Sequence, residues 1–350
     1  MAESISTPFL PDEDRPWMGP THTPKKDIQP PSLFARPPRL SRRSWRRQIY
    51  RDMVYRGISF LVRLIRFLGP KRSAALANRI GVLLFTLQRR ERMVALTNLE
   101  DCLGDSTTLE EREEIAKRVF RNSALSVAES IGLSAWGKWE NWVEFEMDGL
   151  ENLNEALREG KGAVCVNAHF GNWEVMTALI CASGYPGTVV TRPVKDPRLD
   201  EWVTRIRIAY GIQVIQRGKT PLRMIKTLRH GGMLGVMIDM DTRSSRGIFV
   251  DFFGKPAYTQ TGPFVLARRT GSPIIPTLCY REGDNRLRFY FGQAWKVEQT
   301  ENPEADIRAA AQRATKELED RIRERPEQWA WFHKRWKTRP EKFHLKRRDE

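Results

Sequence analysis

A short apolar run that ends at a histidine constrains the fold of this chain most. Residues 162–168 read Gly-Ala-Val-Cys-Val-Asn-Ala, which has the length and partly β-branched composition of a strand covered on both faces. His169 follows, then the turn and N-cap residues Gly171 and Asn172, and then a helical pattern over residues 173–182. A strand that turns tightly into a helix is typical of open α/β sheets, which bind ligands at the carboxyl ends of their strands. The sequence therefore predicts that His169 lies at a ligand-binding edge.

Glu174 falls in the first turn of that predicted helix, within reach of His169. A neutral imidazole can accept a proton from a hydroxyl group, and a carboxylate on its other ring nitrogen fixes the tautomer and stabilises the imidazolium. His169 and Glu174 would then form a catalytic pair. Alternatively, His169 is a capping residue and Glu174 is merely favoured by the positive end of the helix dipole. The local pattern leaves both interpretations open.

The charge balance indicates an anionic partner. With 59 Lys and Arg against 43 Asp and Glu, the 350-residue chain has a formal charge of +16 at pH 7. Such a surface attracts nucleic acid, anionic lipid or an acidic protein, and no recognised nucleic-acid module occurs. The four cysteines lack CxxC spacing and the histidines are dispersed, so neither a disulfide framework nor a metal site is predicted. Phosphate-loop, GxSxG and GxGxxG motifs are absent as well.

Hydrophobic periodicity divides the chain into three parts. Residues 1–47 are Pro-rich, basic and aperiodic, which predicts a disordered tail. Residues 48–135 are predicted to be a helical, membrane-associating region, because the segment 53–70 carries arginines at helical spacing among apolar residues. An ordinary helix packed on the domain is the alternative interpretation, and no apolar run is long enough to predict a membrane span. Residues 136–345 alternate between strand and helix patterns, and 48–345 is expected to be one compact unit.

The predicted fold class is therefore α/β, with a mostly parallel central sheet flanked by helices and a helical N-terminal region. The late strands are expected at 274–280 and 287–291, followed by a helix at 303–323 and a Trp-rich basic tail. Between residues 239 and 273 no strand or helix is predicted. Trp329, Trp331 and Trp336 could lie at lipid headgroups or pack on the domain, and packing is favoured for Trp331.

The run from His169 to Glu174 resembles the HFGNWE signature of the lipid A biosynthesis lauroyl/myristoyl acyltransferases, members of the wider glycerolipid acyltransferases with their His-x4-Asp/Glu block. Further stretches are similar to that family in the same order: Arg192-Pro193 with the basic helix containing Arg205 and Arg207, Ile238–Arg243, Val250–Ala257, Thr259–Pro276 and Trp331–Lys337. Two positions depart from the family pattern. Met240 replaces its usual Gln and Asp196 its usual Asn, and both are expected to face the acceptor.

The resemblance implies a glycerolipid acyltransferase-like fold and transfer of a fatty acyl chain from an acyl carrier protein thioester to a hydroxyl of a lipid A precursor or related glycolipid. It implies His169 as general base and Glu174 as its orienter, with no cofactor and no metal. Backbone amides in the turn at Gly171 and Asn172 are expected to bind the oxyanion. The remaining substrate-binding candidates are polar side chains that could hold the acceptor: Arg192, Arg217, Asp239 and Arg243. Solvated surface arginines and a strand-end cap are the alternatives for these four.

The expected partners are an acidic acyl carrier protein, anionic membrane lipids and the lipid acceptor, with no nucleic acid. The expected location is the cytoplasmic face of the bacterial inner membrane, with peripheral or interfacial anchoring. Two other functions remain open. A lysophospholipid or an aminolipid could be the acceptor for the same chemistry. A non-catalytic basic protein that binds membrane or nucleic acid would not need His169 or Glu174.

Overall fold

Helices and strands alternate along residues 45–216, 221–242, 247–283 and 285–341, which are the residues that the computed structural model describes. The α-helices are α1 (Trp45–Leu87), α2 (Arg89–Leu103), α3 (Leu109–Ala135), α4 (Leu150–Arg158), α5 (Trp173–Ala182), α6 (Pro197–Ala209), α7 (Pro221–Arg229), α8 (Gly262–Thr270) and α9 (Pro303–Glu324). The strands are β1 (Glu144–Asp148), β2 (Ala163–Asn167), β3 (Gly187–Thr191), β4 (Gln213–Gln216), β5 (Met233–Met237), β6 (Gly247–Phe252), β7 (Lys255–Gln260), β8 (Ile274–Arg281) and β9 (Arg286–Phe291). The predicted tail at 1–47 lies almost entirely outside these residues.

Seven strands form one twisted sheet in the order β1-β9-β8-β2-β5-β3-β4. Every pair of neighbours is parallel except β8 and β9, which are antiparallel. Strand β2 lies in the middle of the sheet, and all five of its residues are buried. The predicted α/β class with a mostly parallel sheet is confirmed, and the apolar run before His169 is a central strand because both of its faces are covered.

Helices α1 and α3 contribute to the core on one face of this sheet, whereas the buried α2 residues Ala95 and Leu99 belong to the core on the other face. Helix α1 lies along α3, and its Val62 and Ile65 are buried in the same core as the α5 residues Val175 and Leu179. A proline such as Pro70 normally kinks or ends a helix. The structure continues as one kinked element, whose turning point is Gly69 with a φ of 69°. Among the residues that the structure describes, no helix is both long and apolar enough to cross a bilayer.

Helix α3 begins with a capping box. The hydroxyl of Thr108 accepts a hydrogen bond from the Glu111 amide at 3.2 Å, and the Glu111 carboxylate accepts one from the Thr108 amide at 2.7 Å. This reciprocal pair satisfies two of the amides that a helix start leaves without partners. The cap fixes the start of the helix that later contributes Glu129, which accepts a hydrogen bond from Asn172 at 2.8 Å.

The hairpin β6–β7 and helix α8 were not predicted. The hairpin turn consists of Phe253 and Gly254, with φ of 57° and 72°, because Phe252 pairs with Lys255. Two-residue turns of this kind normally carry Asn-Gly or Asp-Gly, so a phenylalanine hides the signal. The Phe253 ring is buried between the aromatic rings of Trp329 and Trp331. This packing offsets the cost of the positive φ at Phe253.

The Trp-rich C-terminal segment, residues 328–338, packs against the opposite face of the sheet. Trp329 and Trp331 are both 0% exposed, and Trp336 stacks on Phe252. Packing of Trp331 is therefore confirmed, and burial excludes the headgroup interpretation for Trp329 and Trp331. The segment lies beside the carboxyl end of β2, where it contacts the turn that follows the strand.

Candidate active site

The sheet register brings a carboxylate directly to His169. Strands β2 and β5 are parallel neighbours, and Asn167 pairs with Met237. His169 and Asp239 each lie two residues beyond that pair, at the same edge of the sheet. Nδ1 of His169 is 2.9 Å from Oδ1 of Asp239, and the backbone amide of His169 donates to Oδ2 at 2.7 Å. The imidazole is thus held through both its ring and its backbone.

Burial and charge set the protonation states of this pair. The Asp239 side chain is 0% exposed and that of His169 is 21% exposed. Burial alone would raise the pKa of Asp239, but the adjacent His169 charge and its hydrogen bonds hold that pKa well below its usual range. Burial would lower the pKa of His169, but Asp239 and then Glu174 more than offset this, so the net pKa is raised. The pair therefore consists of an ionised carboxylate and a basic imidazole with one accessible edge.

The turn after His169 is built to fit tightly. Gly171 has a φ of +56°, and a Cβ there would lie 1.8 Å from the Cys279 carbonyl oxygen, so only glycine fits. Asn172 is 2% exposed and caps α5 by accepting from the Val175 amide at 3.2 Å. Its amide group donates to Glu129 at 2.8 Å. Gly171 and Asn172 therefore shape the turn, and their assignment as substrate-binding residues stays a prediction.

Two backbone amides at the start of α5 remain without acceptors. Four others in the turn are already used within the protein, namely those of His169, Phe170, Gly171 and Asn172. The amides of Trp173 and Glu174 have no acceptor among the described residues. They belong to the first turn of a ten-residue helix, where donors and the helix dipole favour negative charge. The amides available for an external acceptor therefore lie two to three positions further along the chain than Gly171.

Glu174 has a different partner from the one predicted. Its carboxylate pairs with the guanidinium of Arg207 on α6, with one contact of 3.2 Å between Arg207 Nε and Glu174 Oε2. Their side chains are 31% and 17% exposed, so the pair lies at the accessible side of the site. The predicted orienting bond from Glu174 to His169 is corrected, because Asp239 holds Nδ1. Glu174 acts on His169 through its charge, which raises the imidazole pKa.

The structure describes two of the other four predicted substrate-binding residues, Arg192 and Asp239. Arg192 is exposed and has no ion pair among the described residues. Arg217 and Arg243 lie outside the described residues. Asp239, expected to hold acceptor hydroxyls, is instead buried behind His169.

The two departures from the family pattern have different surroundings. Asp196 is 5% exposed and is the N-cap of α6, with a bidentate contact to the Arg198 guanidinium. The expectation that Asp196 faces the acceptor is therefore wrong, because its oxygens are used within the protein. Met240 is 46% exposed beside the site, so its expected position at the acceptor side stays a prediction.

A second histidine reaches the site from the C-terminal segment. The His333 ring lies 4.7 Å from the His169 ring, and its Nδ1 is buried with no hydrogen-bond partner among the described residues. Burial lowers the pKa of His333 to about 4, so it is neutral near pH 7. His169, Asp239 and His333 offer three metal-ligand atoms within 4.8 Å of one another, although the sequence showed only dispersed histidines. Within this group, Nδ1 of His169 and Oδ1 of Asp239 are joined by a hydrogen bond.

Three residues at this site were missed or misassigned by sequence reasoning. Asp239 was assigned to the acceptor, His333 was set aside as dispersed, and Trp329 was considered only for lipid or core packing. No local pattern links them to His169, because each reaches it through strand order or through the path of the C-terminal segment. Two aligned strand ends, after β2 and β5, were the one available signal for Asp239.

Comparison with known proteins identifies a family that the sequence matches. The sequence model of a family described as "Bacterial lipid A biosynthesis acyltransferase" matches residues 41–338. The chain is 29% identical over 271 residues to the lipid A biosynthesis palmitoleoyltransferase of Escherichia coli (strain K12), which covers 76% of this chain and 85% of that protein. It is 27% identical over 269 residues to the lipid A biosynthesis lauroyltransferase of the same strain, covering 75% and 84%. A phosphatidylinositol mannoside acyltransferase of Mycobacterium tuberculosis (strain ATCC 25618 / H37Rv) is 27% identical over 192 residues, covering 54% and 58%.

Proposed function

The chain belongs to the bacterial lipid A biosynthesis acyltransferase family and is an acyltransferase, and we propose that it moves a fatty acyl chain from an acyl carrier protein thioester to a hydroxyl group of a lipid A precursor or a related glycolipid. The names of the two E. coli relatives support a lipid A acceptor. The mannoside acyltransferase relative supports the broader class of glycolipids. The observation that carries the mechanism is the hydrogen bond between His169 Nδ1 and Asp239.

His169 acts as the general base. With Nδ1–H donating to Asp239, the neutral imidazole has its lone pair on Nε2, which is the nitrogen left for the acceptor hydroxyl. Nε2 takes the hydroxyl proton while the oxygen attacks the thioester carbonyl carbon. The C–S bond then breaks, and the imidazolium returns the proton to the departing thiolate. No covalent acyl-enzyme intermediate is needed.

Asp239 positions the base and stabilises its charged form. Its carboxylate stays ionised because its pKa lies well below the usual range, so it remains an acceptor throughout the reaction. The imidazolium that forms on His169 faces this fixed negative charge. Preorganised charges of this kind lower the barrier because they do not have to reorganise during the reaction.

The tetrahedral oxyanion binds to the start of α5. The amides of Trp173 and Glu174 have no acceptor within the described part of the chain, and the Trp173 ring lies 5.0 Å from the His169 ring. These amides and the base therefore flank the same space. Substitution of a side chain does not remove these donors, because they are backbone amides whose positions are fixed by the helix.

Glu174 and Arg207 form the accessible wall of the site. Glu174 adds negative charge near His169, which raises the imidazole pKa and makes it a stronger base. Arg207 neutralises part of this charge and is 17% exposed, so it can also reach an anionic group of a substrate. In this proposal Glu174 and Arg207 supply charge and contact the substrate, whereas Asp239 orients the His169 ring.

The donor and the membrane both carry negative charge. The formal charge of +16 favours an acidic acyl carrier protein and anionic lipid. Helix α1 exposes three apolar residues at seven-residue spacing, Met53, Phe60 and Phe67, with exposed fractions of 62%, 63% and 83%. A stripe of this kind suits insertion into the interfacial region of a bilayer. We place the protein peripherally at the cytoplasmic face of the inner membrane.

The stripe and the active site are linked through one ion pair. Asp52, next to Met53, accepts a hydrogen bond from Arg198 on α6 at 2.7 Å. The Arg198 guanidinium also stacks 4.1 Å from the Tyr55 ring. Helix α6 begins shortly after the carboxyl end of β3, at the sheet edge that carries His169. Docking through the stripe therefore brings that edge to the lipid surface.

A direct transfer assay tests the function. Purified protein is given acyl carrier protein charged with a defined acyl chain, together with a lipid A precursor, a phosphatidylinositol mannoside, a lysophospholipid or an aminolipid. We expect mass spectrometry to show a glycolipid with one additional acyl chain. A lysophospholipid or aminolipid product alone would favour the alternative acceptor class.

The His169→Ala variant tests the assigned base. We expect its turnover to fall about 10³-fold, since a positioned general base contributes on the order of 10² to 10⁴. His230→Ala is the matched control, because His230 is an exposed histidine on α7's C-terminal side whose Nδ1 lies 2.7 Å from the Lys226 carbonyl oxygen. Near wild-type turnover by folded His169→Ala would contradict the mechanism.

A further inference from the structure

The C-terminal segment pairs with the backbone of the catalytic turn. The Gly171 amide donates to the Gln328 carbonyl at 2.9 Å, and the Ala330 amide donates to the His169 carbonyl at 3.1 Å. Between these bonds, Phe170 and Trp329 form an antiparallel bridge. The turn that presents His169 is therefore held by a segment from the far end of the chain. This ladder fixes the backbone of the base but does not by itself orient its ring.

The side chain of Trp329 completes the orientation. Its indole Nε1–H donates to Oδ2 of Asp239 at 2.8 Å, and both side chains are 0% exposed. The same oxygen accepts the His169 backbone amide, so Oδ2 is held by two donors. Oδ1 is left to face the imidazole Nδ1. The two donors on Oδ2 stop the carboxylate from rotating, because any rotation would break a buried hydrogen bond to a charged group.

The segment is anchored on both sides of this contact. Beyond Trp329, the guanidinium of Arg335 is 1% exposed and donates to the Tyr258 carbonyl at 3.0 Å and to the Thr259 hydroxyl at 2.6 Å. Further on, the Thr338 amide donates to Asp241 at 2.7 Å. Asp241 lies two residues after Asp239. The anchors therefore tie the segment to the same loop that carries the carboxylate.

We propose that Trp329 is a positioning residue of the acyl transfer reaction, which holds the Asp239 carboxylate so that one oxygen is reserved for His169. The inference rests on the proposed function, and it adds a requirement for the C-terminal segment. Without the indole donor, the Asp239 carboxylate is less restricted in its rotation. Its negative charge is also less neutralised, so it acts more strongly on the imidazole. Base orientation and base strength then change together.

Trp329→Phe against Trp331→Phe is a matched test. Both tryptophans are 0% exposed and both use their indole N–H, but Trp331 donates to the Pro326 carbonyl at 2.7 Å and not to Asp239. We expect Trp329→Phe to lower kcat about tenfold, consistent with loss of a hydrogen bond to a charged group, with KM for the lipid acceptor little changed. We expect the acid limb of kcat/KM to move to higher pH, because a less neutralised carboxylate raises the pKa of His169. Equal kcat and equal acid limbs in the two variants would overturn the proposal.

A second readout does not depend on activity. The pKa of His169 is measured by NMR in protein labelled at the histidine ring, with the His169 signal assigned from its absence in His169→Gln. Trp329→Phe is expected to raise this pKa and Trp331→Phe to leave it in place. If the wild type transfers no acyl chain but the His169 pKa still moves, the proposed function fails and the positioning contact stands. An unmoved pKa in Trp329→Phe overturns the contact itself.

If Trp329→Phe does not fold, the proposal is tested in wild-type protein. In protein labelled with ¹⁵N-tryptophan, the Trp329 indole N–H is expected to shift as His169 titrates, because both groups share Asp239. The Trp331 indole, bonded to a carbonyl, is expected to stay in place through the same pH range. The Trp331→Phe spectrum identifies the control signal, and the Asp239→Asn spectrum identifies the shifted one. A Trp329 indole signal whose chemical shift does not change as His169 titrates would contradict the proposal.

Discussion

His169 lies between two carboxylates with very different surroundings. On its buried side, Asp239 is 0% exposed and accepts hydrogen bonds from the His169 ring, the His169 amide and the Trp329 indole. On its accessible side, Glu174 is 31% exposed and pairs with Arg207. Both negative charges raise the pKa of His169, but only Asp239 bonds to the ring. The contrast teaches that the buried carboxylate sets orientation and the accessible one supplies charge.

Asp239→Asn should give the largest effect within this comparison. An asparagine amide can donate to Nδ1, which would place the proton on Nε2 and leave no lone pair for the acceptor hydroxyl. We expect kcat to fall about 10³-fold with KM for the lipid little changed. Steady-state kinetics of the folded variant measure this effect.

Asp241→Asn is the control for that variant. Asp241 lies two residues further on and accepts hydrogen bonds from Thr338, with no contact to His169. A loss in Asp239→Asn no greater than that in Asp241→Asn would show that the buried side of the site does not orient the base.

Glu174→Gln should give a smaller effect with a diagnostic pH dependence. Removing this negative charge lowers the pKa of His169, so the acid limb of kcat/KM should move to lower pH. We expect kcat to fall about tenfold because the base becomes weaker while its orientation is kept. Glu201→Gln, which breaks an exposed Glu–Arg pair on α6, is the control. A loss as large as that of Asp239→Asn would reverse the roles of the two carboxylates.

Replacement of the apolar stripe on α1 should have the smallest effect on turnover. With Met53, Phe60 and Phe67 changed to Ser, we expect about 10- to 100-fold weaker binding to vesicles containing anionic phospholipid, since each side chain contributes roughly 1.5–3 kcal/mol when fully buried and less at an interface. KM for the lipid acceptor should rise while kcat at saturating lipid stays near wild type.

Leu109 and Val127 provide the matched control for the stripe. Both are exposed apolar residues of α3, each 55% accessible, and lie outside the stripe. Changing them to Ser should leave vesicle binding in place. If the stripe variant binds vesicles as tightly as this control, the accessible side of the site does not approach the membrane through α1.

The sequence predicts the position of His169 well, for physical reasons that are local. The apolar run before it can only be a covered strand, and Asn172 marks the start of α5 through its own capping bond. The alternating patterns predict the α/β class, because hydrophobic periodicity is set by each element alone. These features need no knowledge of the tertiary structure.

The partner of His169 depends on tertiary structure instead. Asp239 reaches the imidazole only because β5 pairs with β2, and strand order is not encoded in any local pattern. Glu174 was the natural choice because it is close in sequence, but Arg207 from α6 engages it. The hairpin at Phe253 was missed because packing against Trp329 and Trp331 overrides the usual turn preference.

The tautomer of His169 tests the central claim most directly. Above the pKa of His169, ¹⁵N NMR of histidine-labelled wild-type protein distinguishes a protonated ring nitrogen from one with a free lone pair. Because Nδ1 bonds to the ionised Asp239, we expect the proton on Nδ1 and the lone pair on Nε2, with this preference lost in Asp239→Asn and kept in Glu174→Gln. A proton on Nε2 in the wild type, or a tautomer that follows Glu174 rather than Asp239, would contradict the account.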